Sequence, residues 1–239
     1  MFGLFSKRNH PTICSVIVVA AGSARRMEGI DKVMAPLEGI PVLARTLMVF
    51  QQCPEVHEIV VVTREDLLEN IGAMCKAYNL DKVSGAVIGG AERVLSVRAG
   101  LQQVRQDAEL IAIHDGARPF LSQTVLAAVL QRAKQSGAAA PAIAVNDTIK
   151  RVGDAELIVD TVDRSVLRAV QTPQVFQADL IRTAIEKAVA DGVAVTDDCS
   201  AVERLGIGVV LTPGERENIK ITTPFDMKLG QAILQSRGE

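Results

Sequence analysis

Small residues followed by positive charge mark the first place in this chain where residue type suggests chemistry. Ala20, Ala21, Gly22, Ser23 and Ala24 run together, then come Arg25 and Arg26 and, six positions past Arg26, Lys32. Small side chains let a flat ring or a phosphate reach the backbone amides, and the cations that follow can surround a polyphosphate. The stretch is not a dinucleotide fingerprint, because Ala24 and Met27 stand where the second and third glycines belong. It also lacks the G-K-[ST] ending of a P-loop. Taken alone, a solvated basic loop is the ordinary alternative.

Three further segments carry groups of interest. "HDGARPF" puts Asp115 where a strand-end carboxylate can hold Mg2+ near phosphates or bond a sugar hydroxyl. Arg118 can pair with it structurally, and His114 beside it reads as a hydrogen-bonded structural residue before it reads as a catalyst. "TDDCSAVERLG" offers Thr196, Asp197 and Asp198, which look first like a helix N-cap and first-turn acids. "RENIKITTPFDM" sets Lys220 in an alternating apolar segment, where an isolated lysine is usually a surface residue.

The elements that must position these groups alternate between strand and helix patterns. "TICSVIVVAA", "VHEIVVVT", "SGAVIG", "LIAIHDG" and "AAAPAIAV" read as strands. Helical spacing separates them: Val42, Leu43, Leu47, Val49 and Phe50 make one face, and the segment after Ser122 runs from that N-cap to a stop at Gly137. This order predicts an α/β protein with a mostly parallel sheet and helices on both faces. Ligands of such sheets sit at the carboxyl ends of the strands, which is where the small-residue loop and Asp115 fall.

The rhythm breaks at about 146–165, where polar and apolar residues alternate around the turn signal "VGDAE". This reads as a hairpin, followed by a loop as far as Phe176. It has few large apolar residues to bury by itself, so it is expected to protrude as an arm. Helices then follow at "QADLIRTAIEKAVADG" and "DDCSAVERLG", a strand at "GVVLTPG" and a last helix at "PFDMKLGQAILQSR". No repeat, low-complexity tract or linker divides the chain, so a single domain over 1–239 with its arm is expected.

Composition narrows the class. The 239 residues are 48% hydrophobic and 23% charged with a formal net charge of −2, an ordinary soluble globular profile. That charge, 3% aromatic residues and no Trp argue against a nucleic-acid partner bound by bulk charge or base stacking. No run approaches the roughly 20 apolar residues that span a bilayer, so no membrane partner is expected. Cys14, Cys53, Cys75 and Cys199 lack metal-site spacing and read as free thiols in a reducing cytoplasm. The first residues have the outline of a short signal peptide. Their β-branched content and direct continuation into the small-residue loop favour a strand instead.

Taken together, "AAGSARRM…DK", "GGAERVLSVRAGL", "IHDGARPF", "NDTIKRV", "TVDRSVLRAVQTPQVF", "TDDCSAVERLG" and "NIKITTPFD" resemble one family, in its order and over nearly the whole chain. The chain resembles the 2-C-methyl-D-erythritol 4-phosphate cytidylyltransferases of the non-mevalonate isoprenoid pathway. It departs from them at Ala24, where the family often has glycine, and at Asp31, where proline often precedes the lysine. The stretch from Met27 to Lys32 is also about one residue shorter than in some members.

The resemblance implies a Rossmann-like fold of the nucleotide-diphospho-sugar transferase type. It implies transfer of a cytidylyl group from CTP to 2-C-methyl-D-erythritol 4-phosphate, with release of pyrophosphate and with Mg2+ bridging the phosphates. By it, Arg26 and Lys32 carry the α-phosphate charge, and Lys220 and Arg164 position the polyol phosphate. Arg164 would come from the arm of a partner subunit in a homodimer. Thr148, Thr172 and Thr196 would line the polyol pocket. Ala20, Ala21, Gly22, Ser23, Ala24, Gly90, Ala91 and Ser96 would meet CTP, and Asp115 with Gly116 its ribose or metal side. The runner-up is a cytidylyltransferase for another polyol phosphate such as ribitol 5-phosphate, whose first loop more often reads "AGG". A nicotinamide-dependent oxidoreductase would require the missing glycines, and a non-catalytic nucleotide sensor gives no reason to keep Arg26, Lys32, Arg164 and Lys220 together.

Overall fold

A strand buried on both faces must be apolar at every position, and β1 (Cys14–Val19) comes close to that. Val16 and Val18 join one core and Ile17 the other. The structure is a computed structural model that describes residues 12–22 and 31–238. In it β1 runs parallel to β4 (Val56–Thr63) on one side and to β6 (Leu110–Asp115) on the other. β5 (Val83–Ile88) extends the parallel set beyond β4. Between β1 and β4 lie a small hairpin, β2 (Pro36–Leu37) and β3 (Ile40–Pro41), which the hydrophobic pattern does not reveal, and helix α1 (Val42–Gln52).

The helices divide between the two faces. On the Val16 face pack α1, α2 (Leu68–Ala77), α4 (Gln123–Ser136) and α7 (Pro224–Arg237). On the Ile17 face pack α3 (Arg93–Gln103), α5 (Ala178–Ala190) and α6 (Asp198–Glu203). Their ends follow local chemistry. The Ser122 hydroxyl accepts from the Val125 N–H at 3.1 Å and starts α4. Gly137, at φ 82°, stops it in the left-handed region that glycine adopts without strain. A reciprocal capping box between Thr223 and Asp226 opens α7, with a proline in its first turn.

The second half departs from the loop expected up to Phe176. β10 (Arg168–Val170) and β11 (Gln174–Gln177) are strands, both antiparallel to β7 (Ala138–Ala144). β11 also pairs antiparallel with β6, so it joins the small-residue strand β7 to the parallel set. Val175 and Phe176 are fully buried there. Strands of three and four residues are too short for alternation to announce them. β12 (Val210–Pro213) runs parallel to β7.

The hairpin over 146–165 takes shape as β8 (Ile149–Val152) and β9 (Ile158–Val162), an antiparallel pair that forms its own two-stranded sheet. Its turn bends through Ala155 and Glu156, both at positive φ. Leu157, Ile158, Val159 and Val166 stand 63–76% exposed on this arm. Among the described residues no helix is long and apolar enough to cross a membrane.

Candidate active site

The carboxyl ends of β1, β4, β5 and β6 open on one cleft of about 680 Å³, a volume ordinary for a nucleotide-sized ligand. Ala20, Ala21 and Gly22 follow β1, Thr63 and Arg64 end β4, Gly89 to Glu92 follow β5, and Asp115 ends β6. Lys32 and Lys220 enter the same cleft from distant parts of the chain. The Lys32 ammonium lies over the backbone at Gly22, where an added Cβ would sit 3.9 Å from its Nζ.

The floor is built by close approach. A Cβ on Gly89 would come within 2.7 Å of both Ala21 Cβ and Ser96 Oγ, so only glycine lets this loop lie against the β1 loop. The Ser96 hydroxyl donates to the carbonyls of Gly90 at 3.3 Å and Glu92 at 3.2 Å, which pins the loop to the first turn of α3.

Asp115 is the electrostatic centre. Its Oδ1 accepts from Arg93 Nη1 at 2.9 Å, and its Oδ2 from Arg118 Nε at 3.2 Å and from Lys220 Nζ at 2.9 Å. Burial alone raises this carboxyl, but Lys220, Arg93 and Arg118 overrule it and hold it well below the usual carboxylate range. Arg93 reaches on to Asp198 Oδ2 at 2.5 Å, joining β6 to the start of α6. Asp198 is fully buried, and burial raises its carboxyl against the pull of Arg93. Asp197 caps α6, as the sequence suggests. Sequence reasoning missed Arg93: helical spacing assigns it to α3, and nothing local shows that it bridges two carboxylates. Arg64 was missed in the same way.

His114 is structural. It is completely buried, with Nε2 3.1 Å from the Arg118 carbonyl and Nδ1 3.0 Å from the Thr172 hydroxyl. Its ring packs edge-on against Phe50. Burial pushes its pKa down to about 4. The cysteines are free: Cys14, Cys53 and Cys199 are buried and Cys75 is half-buried. Burial raises the Cys14 thiol to about 12, which leaves no thiolate to act as a nucleophile.

The expected site residues fall into groups. Ala20, Ala21, Gly22, Lys32, Gly90, Ala91, Ser96, Asp115 and Lys220 all line the cleft. Gly116 lies beneath it, where an added Cβ would sit 3.0 Å from Ala20 Cβ, and its carbonyl accepts from Thr46 Oγ1 at 3.0 Å. Thr172 stands behind Asp115, whose N–H it accepts at 3.2 Å. Thr148 and Arg164 are exposed at the arm, and the Arg164 guanidinium donates to the Asn146 carbonyl. Thr196 is exposed just ahead of α6, in a separate shallow depression with Ser200 and Arg204. Ser23, Ala24, Arg25 and Arg26 lie outside the described residues.

Among the described residues no group of three or more His, Cys, Asp or Glu side chains is placed to hold a metal ion. Both Asp115 oxygens face protein cations. A divalent cation seeks several free oxygen donors, so Asp115 in this arrangement does not fit as its ligand.

Comparison with known proteins identifies a family for this chain. The family model for 2-C-methyl-D-erythritol 4-phosphate cytidylyltransferase (IspD) matches residues 14–236. A protein of that name from Symbiobacterium thermophilum is 47% identical over 222 residues, covering 92% of each chain. Another, from Syntrophus aciditrophicus, is 44% identical over 221 residues, covering 92% of this chain and 94% of its own. The solved 4-diphosphocytidyl-2C-methyl-D-erythritol synthase of Anaerococcus prevotii superposes with a TM-score of 0.85 at 31% identity, over 94% of this chain and 97% of its own.

Proposed function

The chain belongs to the 2-C-methyl-D-erythritol 4-phosphate cytidylyltransferase family, and from that premise we propose how its residues carry out the reaction. CTP and 2-C-methyl-D-erythritol 4-phosphate give 4-diphosphocytidyl-2-C-methyl-D-erythritol and pyrophosphate. A phosphate oxygen of the polyol forms a new bond to the α-phosphorus of CTP. The bond from that phosphorus to the bridging oxygen of the β-phosphate breaks, and pyrophosphate leaves with the electron pair.

The nucleophile is already an anion, so no side chain needs to remove a proton. Neutral, fully engaged His114 is consistent with this. Catalysis then rests on in-line positioning and on neutralising charge at a five-coordinate phosphorus. Lys32, above the Gly22 backbone, meets the α-phosphate with Arg26. Lys220 holds the polyol phosphate and Asp115 aims its ammonium. Cytosine and ribose lie on Ala20, Ala21, Gly90 and Ala91, with Ser96 and Gly116 shaping that floor and Ser23 and Ala24 proposed as further CTP contacts. A divalent cation, if bound with the triphosphate, would supply further charge neutralisation there, and Asp115 would keep its cationic partners Arg93, Arg118 and Lys220.

The molecule works as a cytoplasmic homodimer of single-domain chains. Arg164 does not line the cleft of its own chain, and the arm that carries it exposes large apolar side chains. A partner's arm therefore supplies Arg164, with Thr148, to the polyol pocket, while Thr172 supports that pocket from behind Asp115 and Thr196 lies in a separate depression.

The observation that carries this reading is the convergence of Lys32 and Lys220 on one cleft floored by small residues. Pyrophosphate release from CTP, measured with a panel of polyol phosphates, tests it. Methylerythritol 4-phosphate is expected to exceed ribitol 5-phosphate in kcat/KM by at least about tenfold, the low end of the discrimination expected for a difference of one carbon unit in a fitted pocket. Equal use of both would overturn the assignment of substrate.

A further inference from the structure

Arg64 lines the cleft, yet its charge is already engaged by two carboxylates. Its Nε and Nη2 grip the Asp66 carboxylate, both at 3.0 Å. Nη2 also meets Asp31 Oδ2 at 2.5 Å, and Nη1 lies 3.5 Å from the Gly22 carbonyl oxygen. Two carboxylates thus stand beside a cleft whose reading requires a polyanion. With one guanidinium between two acids, Arg64 has no net charge to spare for a phosphate.

The other end of the contact explains the acids. Asp31 immediately precedes Lys32. Its Oδ1 accepts the Val33 N–H at 3.0 Å, and its carbonyl accepts the N–H groups of Met34 at 3.2 Å and Ala35 at 2.8 Å. Lys32 therefore sits inside a turn organised by Asp31. Arg64, fixed to the end of β4 by Asp66, bridges that turn to Gly22, over which the Lys32 ammonium lies.

We propose that Arg64 and Asp31 form a bracket that sets the position of Lys32 over the Gly22 backbone, with Arg64 a positioning residue that acts on the triphosphate only through Lys32. The proposal rests on the reading of Lys32 as the α-phosphate contact. In that arrangement Asp66 anchors the guanidinium, Arg64 spans the residues on either side of 23–30, and Asp31 fixes the lysine's backbone. A long flexible ammonium held this way is preorganised for a developing charge, where misplacement by about 1 Å can cost on the order of 100-fold in rate.

The test is a set of variants assayed with CTP and methylerythritol 4-phosphate: Arg64→Ala, Asp31→Asn, the pair together, Lys32→Ala, and Arg64→Ala combined with Lys32→Ala. Arg64→Ala and Asp31→Asn are each expected to lower kcat about tenfold, with KM for the polyol phosphate unchanged. The pair together is expected to fall no further than the poorer single variant. In the Lys32→Ala background Arg64→Ala is expected to be silent, because there is no ammonium left to place. Arg64→Lys serves as the milder variant and is expected to recover part of the loss, and thermal melting checks each fold. If Arg64 instead touched phosphate directly, Asp31→Asn would free it and tighten CTP binding. Arg64→Ala would then stay costly without Lys32. Either result overturns the bracket, as does an equal loss in both backgrounds, which a purely structural pair would give. Wild-type kcat in Lys32→Ala would instead remove the reading of Lys32, whatever Arg64 does.

Discussion

Replacing Asp115 by Asn keeps the side chain's shape and removes its charge from the middle of three cations. The cost follows from where those cations are. Lys220 is 39% exposed along its side chain and can swing into water, so its pairing contributes little. Arg93 and Arg118 are 23% and 15% exposed, and their bonds to Asp115, at 2.9 and 3.2 Å, cannot be replaced by solvent without opening the cleft. A charge-assisted bond of this kind is worth about 1.5–3 kcal/mol, and stranding a buried charge costs about 3–5 kcal/mol in all. Arg93 keeps Asp198, which holds the loss within that range.

The assay is urea unfolding followed by far-UV circular dichroism, since the chain has no Trp and one Tyr. With a denaturant slope of about 2–3 kcal/mol/M, the midpoint is expected to fall by about 1–2.5 M. Asp107→Asn is the control. It breaks an ion pair with Arg105 of good geometry on the open surface, and no midpoint shift is expected. A shift for Asp115→Asn as small as that of the control would refute the electrostatic account of this cluster.

Lys220→Ala and Arg164→Ala are expected to reduce kcat/KM for the polyol phosphate by about 1.5–3 kcal/mol while CTP affinity changes less; calorimetry showing equal loss of CTP binding would count against it. Mixing Arg164→Ala chains with Lys32→Ala chains is expected to restore about a quarter of wild-type sites, because random exchange makes half the dimers mixed and each has one intact site. Mixed dimers verified by mass spectrometry yet no more active than the parents would place Arg164 in its own chain's site. His114, held near pKa 4 against an ordinary 6.5, is neutral in the fold and charges more readily when unfolded. Its contribution is therefore complete above about pH 6.5 and is lost as pH falls toward 4, by about 3 kcal/mol. Urea midpoints at pH 7.5 and 4.5 are expected to diverge less in His114→Asn than in the wild type, and equal divergence would contradict this.

The central parallel strands were legible because each is a near-continuous apolar run bounded by helical spacing, and α4 because Ser122 and Gly137 punctuate it. The small residues at the end of β1 announced part of the cleft floor from their type alone, whereas Gly90 and Ala91 after β5 entered only through the family resemblance. What stayed hidden depends on pairing between distant segments. β11 is four residues long and becomes a strand only because β6 and β7 offer their edges to it. Arg93 looked like any arginine on an exposed helix turn until the fold placed Asp115 and Asp198 on either side of it. Asp31 looked like a departure within a phosphate loop, and its meaning lies in Arg64, 33 positions away.

The arm carries more than Arg164. Among the described residues β8 and β9 pair only with each other, so each offers one open edge, and Leu157, Ile158 and Val159 crowd the turn and the strand that follows it. Open edges flanked by β-branched residues are templates for indiscriminate strand addition. Any chain whose arm is left uncovered therefore carries an aggregation-prone segment with it. If a second copy covers the arm as proposed, the yield of soluble protein is expected to rise with chain concentration during refolding, because covering depends on encounter between copies as well as on the stability of the fold.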